Sequence, residues 1–188
     1  MPSDAYESHL IPLLEDVNDL IGAHNTGSTG AMGRQWRLGG INRAGVVVAV
    51  SAWEMYVECL LEESVMAMKP AAPPLGTWPA LLAGAKSQIG RFNTPNTQNT
   101  QRLFREHIGL PDVTAQWTWK GASRKTNRER LNKALTTRHE VAHGVSPRPS
   151  VHFKYMKGLV GFFKRLGTWT DAEVHRYLTN DLGLAPPW

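Results

Sequence analysis

The chain has 188 residues, 41% of them hydrophobic and 20% charged, which suits one well-buried core and argues against wholesale disorder or two comfortable domains. Its net charge of +5 favours a polyanionic partner without requiring one. The only cysteine, Cys59, excludes an internal disulfide; beside Val57, Leu60 and Leu61 it reads as a small buried hydrophobe rather than a catalytic thiol.

The first residues, MPSDAYESHLIPLLED, lack a basic region followed by an uninterrupted apolar run, so no secretory signal is expected. No apolar stretch of the ~20 residues that span a bilayer is read either. The expected setting is cytoplasmic and reduced, without membrane contact.

Apolar spacing is helical almost throughout. Over 4–24, Tyr6, Leu10, Leu13, Leu14, Val17, Leu20 and Ile21 recur at helical intervals, with Ser3 or Asp4 as cap and Pro12 as a kink or a later start. A Gly-rich loop over about 25–40 follows. Its glycines precede no Gly-Lys-Ser/Thr, which excludes a P-loop. Arg34 and Arg37 flank Trp36 there, a pattern that suits a mobile loop or an RNA-contacting one.

Residues 41–68 form the most apolar predicted helix. The Val46-Val47-Val48 run lacks strand-like neighbours and is read as helix too. PAAPP at 70–74 breaks the chain, and 78–85 gives a short helix at most. FNTPNTQNT at 92–100 is a polar turn offering an N-cap to an amphipathic helix that Gly109 ends. A loop carrying Trp117 and Trp119, candidate base-stacking platforms or core residues, leads to a helix over about 123–143, opened by Ser123 and ended at Gly144. Two more helices are expected, over 151–166 and over 170–180, the last capped by Thr170 with Glu173 at N3. The class is all-α: one helical-bundle domain over 1–188, an up-down four-helix core with accessory helices.

The chemistry concentrates in Arg138-His139-Glu140-Val141-Ala142-His143-Gly144, which parses in two ways. From His139 it spells His-Glu-x-x-His, the helix of zinc proteases, which also needs a third ligand and an open position for water. The metzincin continuation requires a glycine at 146 and a histidine at 149, where this chain has Ser146 and Pro149. A downstream carboxylate remains as third ligand, with Glu173 the best candidate and Asp171 and His175 beside it, although a helix cap accounts for Glu173 more simply.

From Arg138 the same residues give a guanidinium to hold a phosphate and, in His143, an imidazole that can move protons. No metal or other cofactor is needed. Five positions apart on a helix, the two side chains diverge by about 140°, so a groove between two copies of the chain would assemble them better than one helix alone.

Arg-His-x-x-Ala-His-Gly at a helix end resembles the motif of HEPN ribonucleases, with His139 as the polar residue that follows their arginine. Residues 49–61, AVSAWEMYVECLL, resemble the second helix of the RiboL-PSP-type HEPN subgroup. Residues 96–112 resemble its asparagine segment followed by Leu-Phe (Leu103-Phe104) and Gly-Leu (Gly109-Leu110). In order, these blocks span roughly 41–146.

The resemblance implies a helical bundle, a homodimer with arginine and histidine at its interface, and metal-independent endoribonuclease activity in toxin–antitoxin or phage-defence systems. RNA and an antitoxin or defence-system protein are the implied partners. The motif carries over onto Arg138, His139 and His143. A non-catalytic HEPN interaction or nucleotide-binding module is the alternative, and a zinc hydrolase the lesser one.

Glu54, on the apolar central helix, would be costly unpaired; Arg138 or His139 would resolve that cost, as would solvent or another base. Lys125, Arg128, Arg130 and Lys133 precede the motif on its helix and form either a phosphate-tracking surface or a solvated basic face.

Overall fold

A computed structural model of the chain describes residues 1–28, 38–70, 77–144 and 150–188. Arg34, Trp36 and Arg37 lie outside the described residues. Among these residues there are six α-helices and no strand beyond an isolated bridge between Trp119 and Ala122. In chain order they are α1 (Ile11–Gly27), α2 (Gly39–Ala67), α3 (Thr77–Ile89), α4 (Thr97–Ile108), α5 (Arg124–Ala142) and α6 (Phe153–Arg176). Wide π-type turns precede α1 (Ala5–Leu10) and follow α6 (Tyr177–Asp181). Pro12 sits where the π-type turns pass without a break into α1.

The all-α bundle expected from the sequence is the observed architecture, with α2 at its centre. Val46, Ala49, Val50, Trp53, Tyr56, Val57, Leu60 and Leu61 are buried along it against α1, α5 and α6. Each large apolar side chain so buried contributes about 1.5–3 kcal/mol. Gly45 lets α2 and α6 close on each other, since a Cβ there would run into Met156. By length and composition α2 is also apolar enough to cross a membrane, which corrects the expectation that no such stretch exists. Its apolar side is the core of the bundle.

Around Trp53 the core is aromatic. Tyr56, Trp117 and Phe163 lie at centroid distances of 5.4, 5.9 and 5.9 Å. Their polar tips are satisfied: Trp53 donates to the Pro95 carbonyl (3.0 Å), Trp117 to the Thr170 hydroxyl (3.0 Å) and Tyr56 to the Gly167 carbonyl (2.9 Å). Trp117 is therefore core, not a stacking platform. Trp119 is half-buried near the Phe162 ring.

Thr170 corrects a second expectation. It starts no helix: α6 runs through it, its hydroxyl donating to the Leu166 carbonyl (2.7 Å), and Glu173 pairs with Arg176 instead of serving a cap. At the other end of the chain, Ser3 donates its backbone N–H (2.7 Å) and its hydroxyl to the Asp171 carboxylate, which Tyr56 also reaches.

Candidate functional site

Helix α5 begins where Ser123 accepts from the Thr126 N–H (3.2 Å) and ends at Gly144, whose φ of 62° lies in the left-handed region that favours glycine. This stop places His143 at the helix C-cap, its N–H bonded to the His139 carbonyl. His139 and His143 are exposed one turn apart, ring centroids 4.3 Å from each other.

Arg138 faces the bundle. Its Nη2 donates to Glu54 Oε2 of α2 (2.9 Å) and more distantly to the Asn93 carbonyl (3.5 Å). The two side chains are 23% and 18% exposed, so the pair is shielded yet reachable. Burial pushes the Glu54 carboxyl above its ordinary range, and the adjacent Arg138 charge and hydrogen bond pull it back only in part. One turn along α2, Glu58 has no hydrogen-bond or ion-pair partner among the described residues. Burial, with Glu54 adding its charge, raises it to about 7.

Helix α4 is lashed to this region. Asn96 caps it by accepting from the Asn99 N–H (2.8 Å), Asn132 of α5 accepts from the Thr97 N–H (3.0 Å), and the Thr97 hydroxyl reaches the Arg128 carbonyl (3.3 Å). A cavity of about 340 Å³ lies between α4 and α5 beside His139.

A family model of RiboL-PSP-HEPN domains matches residues 8–171, which takes in α1 to α5, the whole motif and α6 as far as Asp171. The chain belongs to this HEPN family. No curated protein and no solved structure matches it.

In this HEPN domain the four basic residues upstream of the motif go to different places. Lys125 is exposed and only loosely paired with Glu129 (4.0 Å). Arg128 turns in to Asp112 (2.7 Å) and the Thr114 hydroxyl. Burial pushes the Asp112 carboxyl upward, but hydrogen bonds from Thr114 and Gln101, with the Arg128 charge, hold it below its ordinary range. Arg130 lies over the Phe162 ring (4.5 Å) and donates to the Gly158 carbonyl (3.0 Å), while Lys133 lies over Tyr155 (5.8 Å). Arg128, Arg130 and Lys133 thus serve packing as well as charge.

A zinc site would need a third ligand near His139 and His143. No group of three His, Cys, Asp or Glu side chains able to hold a metal forms among the described residues, and the stretches outside them contain none of those four residue types. Asp171 is engaged by Ser3 and Tyr56, Glu173 by Arg176, and His175 lies edge-on to Trp188. Burial and nearby carboxylates raise the Cys59 thiol to about 11, which leaves it protonated and a poor nucleophile.

Sequence reasoning read 92–100 only as a turn with a cap. It missed the cavity that the segment makes with Asn132 and Thr136 of α5, because nothing local signals that pairing.

Proposed function

We propose that the protein is a metal-independent endoribonuclease that acts as a homodimer. The observation that carries this reading is the way Arg138 is held: Glu54 and Asn93 engage only Nη2, which leaves Nε and Nη1 without a partner among the described residues. A planar guanidinium anchored by one nitrogen keeps a donor edge for a phosphate.

His143 takes the proton of the ribose 2′-hydroxyl as its oxygen attacks the adjacent phosphorus. The P–O5′ bond breaks, the 5′-oxygen leaves with a proton from a protonated imidazole, and a 2′,3′-cyclic phosphate remains. Arg138 stabilises the charge on the phosphorane oxygens. His139 is the polar neighbour that positions the pair, and Glu54 fixes the guanidinium.

Because Arg138 points to α2 while His143 stands exposed at the end of α5, one chain presents them on different faces. A second copy laid across α5 would supply the missing half. A cytoplasmic toxin or phage-defence effector, restrained by an antitoxin or another partner protein, is the setting this chemistry fits. Lys125, with Arg34 and Arg37 of the Gly-rich stretch of sequence, is assigned to RNA contact.

The test is incubation of purified protein with RNA in EDTA. Cleavage to cyclic-phosphate ends is expected, reduced by about 10²–10⁴-fold in His143→Ala. No cleavage by wild type, or equal cleavage by His143→Ala, refutes the assignment.

A further inference from the structure

The cavity beside His139 is walled by Asn96 and Gln98 of the α4 start and by Asn132, Leu135 and Thr136 of α5. Its two asparagines cannot be flipped. Asn96 Oδ1 accepts from the Asn99 N–H and Asn132 Oδ1 from the Thr97 N–H, and a backbone N–H can only donate. The amide oxygens are therefore fixed by the backbone, and both amino groups are left without a partner among the described residues. The Thr136 hydroxyl donates to the Asn132 carbonyl (3.1 Å), which leaves its lone pairs free.

None of the lining residues is a lysine, arginine, aspartate or glutamate. A phosphate would find no cation there and a cation no anion. What the walls offer is two asparagine amino groups on amides held in one orientation, the Thr136 hydroxyl oxygen and the Gln98 amide as adaptable polar groups, an apolar side at Leu135, and the imidazole of His139. At about 340 Å³ the cavity lies at the small end of the range for ligand pockets, about 300–1,000 Å³. A flat, neutral ring with carbonyl oxygens on its edge meets all of these conditions.

We infer that this cavity is a nucleobase subsite that selects a base with carbonyl acceptors, uracil or guanine, over adenine. The assignment rests on the ribonuclease reading only for why RNA comes to the site. Through His139, whose ring neighbours that of His143, the selected base would flank the phosphate at which the chain is cut.

Binding tests the pocket separately from cleavage. Labelled 2′-O-methyl adenylate pentamers carrying a central uridine, inosine or adenosine, which lack the attacking hydroxyl, are titrated in EDTA by fluorescence anisotropy. Inosine places a carbonyl where adenosine has an amino group. The uridine and inosine probes are expected to bind about tenfold more tightly than the all-adenosine probe, the scale of one well-made base-edge contact.

Asn96→Ser keeps a capping oxygen and Asn132→Asp keeps the oxygen that holds Thr97; each lacks the amino group. Both variants are expected to melt as wild type does and to bind the three probes within about twofold of one another. Equal binding of the three probes by wild type, absence of binding to all of them, or a preference untouched in both variants overturns the inference. Asparagine-dependent discrimination without cleavage upholds the pocket and sinks the ribonuclease reading. Cleavage in EDTA without discrimination does the reverse.

Discussion

Replacing Arg138 by alanine leaves Glu54 in a shielded position with no cation, and the cost of that should depend on pH. Arg138 and Glu54 are 23% and 18% exposed and 2.9 Å apart, between a surface pair, worth about 0.5 kcal/mol, and a fully buried one whose disruption costs about 3–5. A loss of about 2 kcal/mol is expected where Glu54 must remain ionised. In wild type, burial already raises this carboxyl, and Arg138 is what opposes the rise. Without Arg138 the folded-state pKa climbs further above its unfolded value. The folded variant then holds a proton that the unfolded chain has released, so its stability falls as pH rises through that interval.

Arg138→Ala should therefore be close to wild type near about pH 5 and destabilised by about 2 kcal/mol near about pH 8, a drop of about 4–8 °C in Tm for a chain of this size. Glu54→Gln combined with Arg138→Ala should lose the pH dependence. Thermal melts of wild type and the two variants at fixed concentration across that range provide the measurement. An Arg138→Ala penalty of the same size at both ends, or none at either, would refute the claim that Arg138 holds Glu54.

Three further outcomes are expected. Glu58, raised from an ordinary 4.5 to about 7, is protonated in the fold where the unfolded chain is not, so it withdraws stability as pH rises between those values. Glu58→Gln should raise Tm at about pH 8 and make little difference near about pH 4.5; a variant less stable than wild type at about pH 8 would show that the carboxylate is paired in solution. Arg128→Ala, which loses its clasp on Asp112 and Thr114, should destabilise the fold by about 1–3 kcal/mol without changing the salt dependence of RNA binding. Lys125→Ala should leave Tm unchanged and reduce the log–log salt slope for single-stranded RNA by about 0.7, and the reversed pattern would exchange their roles.

Much of the fold could be read from sequence because its signals are local. Ser123 and Asn96 cap the helices they precede, and Gly109 and Gly144 stop the helices they follow, since each feature depends on a few consecutive residues. The errors fall where distant residues override local signals. Thr170 with Glu173 three residues later is a proper capping pair, but the Trp117 indole takes the threonine hydroxyl from 53 residues away, and Arg176 takes the glutamate. Trp117 looked available for stacking because the sequence puts it in a loop, and only the tertiary fold sets it against Trp53.

The candidate site divides in the same way. The spacing of Arg138, His139 and His143 was legible, and so was the difficulty of leaving Glu54 unpaired on an apolar helix. The inward turn of Arg128 depends on a loop whose path no periodicity reports. The fixed amide orientations of Asn96 and Asn132 depend on two helices meeting.

The latch between Ser3 and Asp171 joins residues 168 positions apart, and Tyr56 of the central helix closes onto the same carboxylate. Trp117 likewise waits for Thr170. A growing chain in which α6 has not yet left the ribosome therefore holds the whole Arg138-to-His143 motif while the partners that settle its core are still missing. The helix that carries the motif therefore stands against a settled core only once α6 has been made and has packed beside α2.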